Sequence, residues 1–209
     1  DGTVIYTQNF DSTWTPTGWT TTVTNSSYTW KLGNPSASPY NSIDAGNVAS
    51  AVVPWVAAAQ DEWLISPQIS TAAYSGRPLA IKFHMGFGRL YLSPGATLSF
   101  KISTNNGTSW TQLWNANGDA TEPAGTAWAW RLINIDLSAY AGQNVKFAWQ
   151  YVGNDGDLMA LDGVKLYINE TPTQVTLYEG DYLQYTDLST GNPFAWNWSL
   201  TGASPSTSA

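Results

Sequence analysis

Residues 145–168 limit the fold more than any other stretch of this chain. Phe147, Trp149 and Tyr151 alternate with Ala148 and Gln150, the period-2 pattern of a strand that buries one face. Gly153-Asn154-Asp155-Gly156-Asp157 then interrupts with turn residues. A second apolar run follows through Leu161, Val164, Leu166 and Ile168, and it carries one carboxylate, Asp162. A charge among apolar neighbours must be paired, hydrogen-bonded or metal-bound, because burying it alone is too costly. The stretch reads as strand, acidic turn, strand, with one polar group to be accounted for.

Composition points the same way. Charged residues make up 11% of the 209 residues, against roughly 25% in an average soluble domain. Twelve Trp, eleven Tyr and six Phe make the chain strongly aromatic. Ser, Thr, Asn and Gly stand where Lys and Glu would form the surface, the profile of a secreted β-sandwich. The length suits one large all-β domain or two small ones.

The balance of 8 basic against 15 acidic residues, a net charge of −7, leaves no basic patch. Nucleic acid and anionic membrane are therefore poor partners. Divalent cations and neutral glycans are compatible ones. The chain has no cysteine. That allows the cytosol, and it also fits bacterial surface proteins that fold without disulfides. No apolar run reaches the length of about 18 residues that a membrane span needs. The sequence is domain-like from Asp1 onward, as in a mature or trimmed start. A monomer is expected.

Taken in order, the chain offers about ten to twelve strands and no helix before Asn169. Val4, Tyr6 and Phe10 open the first strand. Short strands are expected at 20–23, 28–32 and 48–53, and another at 62–66, closed by Pro67. Leu79, Ile81, Phe83 and Met85 should point inward, with Lys82 and His84 opposite. Asn105-Asn106-Gly107 is a hairpin turn leading to Trp110 and Trp114. Trp30, Trp63 and Trp149 read as core. Glu170-Thr171-Pro172 reads as a linker, after which an alternating pattern restarts over residues 173–209. About 35 residues are too few for an independent core.

Three motifs in order carry a family resemblance. They are Asn9-Phe10-Asp11 with Pro16-Thr17-Gly18-Trp19, then Asp61 to Pro67, then Asp136 to Gln143 leading to Leu161-Asp162-Gly163-Val164. Together they resemble the cleaved-adhesin, or choice-of-anchor J, domains of Bacteroidetes surface proteins, which are similar to MAM domains and to jelly-roll carbohydrate-binding modules. The resemblance spans residues 4–168. It implies an all-β, antiparallel two-sheet jelly-roll sandwich over residues 1–169 and a secreted or cell-surface location. Asp187 to Pro193 and Trp196-Asn197-Trp198 resemble the first half of an immunoglobulin-like PKD domain. That implies a fragment of a longer extracellular protein. The chain departs from the family at Gly163, where a second acidic residue is common, and at Asn25-Ser26-Ser27, where carboxylates are common.

Three classes of site follow. In jelly-roll relatives a calcium ion ties the first strand to the last. The resemblance would place Asp11 and Asp162 on that ion, with Asp44 or nearby carbonyls completing the six to eight oxygens calcium takes. The alternative makes Asp11 a strand-end cap and Asp162 a backbone-bonded carboxylate. Asn154 to Asp157 lacks the ligand spacing of an EF-hand and reads as a solvated turn. Sugar binding would use loop aromatics as stacking platforms, for which Trp55, Trp114, Trp128 and Trp130 are candidates, although most Trp in a sandwich are core. Catalysis has little to work with: one histidine, His84, no cysteine and no GxSxG motif. A glycosidase needs two carboxylates in one cleft. Asp61/Glu62, Asp119/Glu122 and Asp155/Asp157 are the available pairs, and neighbours in a strand point to opposite faces. The expected function is a non-catalytic module that binds a glycan or a host or cell-surface protein. The alternative is an accessory domain of a secreted protease or glycosidase.

Overall fold

A computed structural model describes residues 2–11, 13–33, 49–90, 92, 95–119 and 127–170. The chain divides after Thr171, and only the first unit, Asp1–Thr171, contains described residues. The PKD-like segment and Asp44 lie outside them.

Twelve strands occur among the described residues: β1 (Val4–Gln8), β2 (Thr20–Thr22), β3 (Lys31–Leu32), β4 (Ala51–Val53), β5 (Gln60–Ile65), β6 (Ile69–Ser70), β7 (Leu79–Phe87), β8 (Ala96–Ser103), β9 (Thr111–Asn115), β10 (Ala129–Asp136), β11 (Asn144–Gly153) and β12 (Met159–Ile168). They form two antiparallel sheets. Sheet A runs β10-β7-β12, whose far edge is shared by β4, followed by β3, and by β1. Sheet B runs β2-β5-β11-β8-β9, with β6 beside β5 on the same edge of β11. This is the antiparallel two-sheet jelly-roll sandwich that the resemblance implies.

The core lies between the sheets. Leu79, Ile81, Phe83 and Met85 of β7 and Val145, Phe147, Trp149 and Tyr151 of β11 are all buried. Trp149 stacks on Trp19 at 5.7 Å and meets Phe83 and Phe100 at 5.3 and 5.1 Å. Removing each such side chain from water contributes about 1.5–3 kcal/mol. The turn at Asn105-Asn106-Gly107 closes the β8–β9 hairpin, with Asn106 and Gly107 both at positive φ.

One expectation fails. Trp30 and Trp149 are core, but Trp63 is half-buried and lies on the outer face of sheet B. Pairing opposite Trp149 turns Leu64 inward, and the next inward position toward the strand's start is Glu62, which is fully buried. Glu62 is tolerated there because its carboxylate accepts the backbone N–H of Asn25 at 2.7 Å and of Thr24 at 3.1 Å. Alternation then sends Asp61 and Trp63 outward.

Candidate functional site

β10 is an edge strand of sheet A, and its register with β7 sets out a row on the outer face: Trp130, Gly86, and beyond it Ala160 of β12. Two small residues leave a trough, and the Trp128 ring lies in it. A Cβ on Gly86 would collide with that ring. The indole Nε1 donates to the Leu158 carbonyl at 2.8 Å, which fixes the ring's orientation. Trp130 meets Trp128 edge-on, with centroids 5.5 Å apart and planes at 77°. The neighbouring row carries Leu132, 56% exposed, then His84 and Asp162.

Around the edge of β10 opens a groove of about 620 Å³, lined by Trp114, Asp119 and residues 130–134. Trp114 belongs to β9, the edge strand of sheet B, so the groove lies where the open edges of the two sheets face each other. The Trp114 ring is wedged edge-on against Phe87 at 5.8 Å, and its Nε1 donates to Asp119 Oδ2 at 3.1 Å. Arg89 donates to the carbonyls of Asn117 and Asp119 and so holds this segment against the groove. The Arg131 guanidinium lies 4.5 Å from the Phe87 ring centroid and donates to the Phe87 and Ala129 carbonyls. At the far end of β10, hydrogen bonds from the Ser138 hydroxyl and backbone N–H hold the exposed Asp136 carboxyl below its usual range. The groove thus offers aromatic faces beside a carboxylate and an amide, Asn134.

Of the aromatic candidates, Trp114, Trp128 and Trp130 are brought to one side of the molecule. Trp55, 46% exposed, lies in the loop between β4 and β5. That loop is tied to the β11–β12 turn by the Asp155 N–H bond to the Val56 carbonyl at 2.9 Å. Among the described residues no ring contact joins Trp55 to Trp128 or Trp130.

The carboxylates fall elsewhere. Asp162 is fully buried, and its Oδ1 accepts the Gly163 N–H at 2.8 Å. Gly163 has φ +58°, and the register slips between Asp162 and Lys165, which marks a β-bulge. Gln8 of β1 faces Val164, so Asn9 to Asp11 run on toward the Asp162 end of β12. Asp11 Oδ1 is buried with no hydrogen-bond partner. Among the described residues no three His, Cys, Asp or Glu side chains form a metal-ready group. The carboxylates Asp61 and Glu62 are split between the two faces of sheet B, and Glu122 lies outside the described residues.

Sequence comparison finds no matching family model and no matching curated protein. The fold is similar to solved structures. The K1 cleaved adhesin domain of Lys-gingipain from Porphyromonas gingivalis is 17% identical with a TM-score of 0.55, covering 79% of this chain and 98% of that one. The K2 domain of the same protein is 20% identical with a TM-score of 0.55, covering 78% and 98%. TmCBM61, in complex with β-1,4-galactotriose, is 15% identical with a TM-score of 0.50, covering 73% and 90%.

Proposed function

We propose that this chain is a non-catalytic, extracellular glycan-binding or adhesion module of a bacterial surface protein. The observation that carries the reading is the Trp128–Trp130 pair at the rim of a groove whose lining includes Trp114, Trp130, Asp119 and Asn134. A sugar ring has an apolar face and a rim of hydroxyls, and a site for it needs both kinds of surface close together. The likeness in fold to adhesin domains and to a module bound to a galactotriose supports the same reading.

Calorimetric titration with neutral β-linked oligosaccharides, beginning with β-1,4-galactotriose, tests it. Trp130→Ala is expected to weaken binding at least about tenfold, the loss typical of a well-packed aromatic anchor. Trp55→Ala serves as the control on a separate loop. Equal affinity of Trp130→Ala and the parent chain for every bound sugar would remove the groove from consideration.

Calcium belongs to the same proposal as a structural ion. Asp11, with its orphaned Oδ1, and Asp162 would be its carboxylates, and Asp44 or backbone carbonyls would complete the shell. A bound ion would neutralise two carboxylates and tie β1 to β12. Saturation a hundredfold above the dissociation constant stabilises by about 2.7 kcal/mol, which is roughly 5–10 °C for a domain of this size. Chelator should remove that increment, and Asp11→Asn should abolish the response. An unchanged melting temperature in chelator would leave Asp162 as a backbone-bonded carboxylate.

A further inference from the structure

The outer face of sheet B carries a second aromatic and polar assembly, made of residues that do not line the Trp130 groove. On the outer face of sheet B, Ser99, Gln150 and Trp63 form one row across β8, β11 and β5, and Lys101, Ala148 and Ile65 form the next. Ala148 is small and fully buried, and two aromatic rings meet on the same face. Trp63 comes from β5 and Trp110 from the hairpin that precedes β9, and their centroids lie 5.8 Å apart. The Lys101 ammonium lies 4.8 Å from the Trp63 centroid.

Trp63 is held rather than merely exposed. Its Nε1 donates to Asp61 Oδ1 at 2.8 Å, and Gln150 Nε2 donates to the same oxygen at 2.7 Å. Asp61 is exposed, and Asp61 Oδ2 and Gln150 Oε1 have no hydrogen bond among the described residues. Lys101 has no carboxylate within ion-pair distance among them either. Its cation–π contact is worth about 0.5–1 kcal/mol at an exposed site and leaves the charge unneutralised. A chain with only 8 basic residues and a net charge of −7 thus places Lys101 of β8 and, one row further along, Lys146 of β11 on this outer sheet face.

We propose that this face binds an oligosaccharide bearing a single acidic group. Lys101 takes the carboxylate or sulfate through a charge-assisted hydrogen bond. The Trp63–Trp110 pair packs against the sugar, and Asp61 Oδ2 and the Gln150 carbonyl accept from its hydroxyls. The net negative charge of the chain disfavours long polyanions, so the ligand is a short glycan with isolated charges. The site stands without the Trp130 groove and does not depend on it.

The test compares 3′-sialyllactose and 3′-sulfolactose with lactose in titrations of the full chain. At least one acidic sugar should bind about tenfold more tightly than lactose, the effect of one hydrogen bond to a charged group. Preference for one over the other distinguishes carboxylate from sulfate. Lys101→Met should reduce the acidic sugar to the affinity of lactose, and Lys101→Arg should retain the preference. Trp110→Ala should weaken acidic and neutral sugars together. Equal binding of all three sugars, or a preference that survives Lys101→Met, would overturn the assignment. So would displacement of the sugar by tetraglutamate at equal concentration, which would identify a site for acidic peptide.

Discussion

β11 and β12 are each ten residues long and each runs through the middle of its sheet, yet they solve one problem in opposite ways. Both exchange one edge partner for another along their length. β11 passes from β5 to β6, and the exchange is made by the neighbour. There Ser66 donates its N–H to the Phe147 carbonyl and accepts the Phe147 N–H on its hydroxyl, both at 2.9 Å, before Pro67 breaks the pairing. β11 keeps its own phase, and Val145, Phe147, Trp149 and Tyr151 all face the core. β12 passes from β4 to β1, which come from separate parts of the chain, and here the central strand makes the exchange itself. Its bulge at Asp162-Gly163 resets the phase, so that Leu161 and Val164 both point inward although three positions apart. A continuous neighbour can absorb an irregularity, whereas two unconnected neighbours leave it to the strand between them.

The largest effect should come from the strand that stays regular. Trp149 touches aromatic rings on both sheets, and Trp149→Ala should cost about 3–5 kcal/mol by denaturant unfolding. Its Nε1 is buried without a partner, so Trp149→Phe removes an unmet donor together with some volume and should cost clearly less than the alanine change. Equal losses would mean that the contacts of the indole's second ring decide the site.

In β12 the sensitive position is the bulge. Gly163 holds φ +58°, where a side chain on an L-residue costs roughly 1–2 kcal/mol. Gly163→Ala should lose about that much, and Gly163→Asn less, because asparagine enters this region readily. Indistinguishable melting temperatures for Ala and Asn would show that the bulge relaxes when Gly163 is replaced.

The difference between these strands also explains what the sequence discloses. Alternation is local, so Phe147, Trp149 and Tyr151 announce a strand with one buried face. The inward set of β7 is legible for the same reason. The three-residue step from Leu161 to Val164 is visible, but its meaning depends on β1 and β4, more than a hundred residues away. Trp63 misleads for a related cause. An aromatic in an apolar strand suggests core, and only the long-range bonds from Thr24 and Asn25 make the neighbouring Glu62 the buried residue. Trp128 and Trp130 can be picked out as loop-side aromatics. Their joining over Gly86 cannot, because the trough is made by small residues on two other strands.

The smallest expected effect lies in the turn between the two strands. Burial pushes the Asp157 carboxyl up, against a Leu158 N–H bond to Oδ1 that works the other way. The Tyr151 hydroxyl is pushed up too, chiefly by burial and then by the Asp157 charge. A carboxyl raised on folding contributes most below its unfolded pKa, and that contribution is lost as pH rises through the folded value. Asp157→Asn keeps an oxygen for the Leu158 N–H and deletes the charge. At neutral pH it should therefore melt slightly higher, by about 1–2 °C once solvent screening is allowed for. The gain should vanish on acidification, as the parent's own carboxyl becomes protonated. A lower melting temperature at neutral pH would mean that the turn uses this charge to hold a cation, and the irregular connection would then be stabilised by its acidity rather than in spite of it.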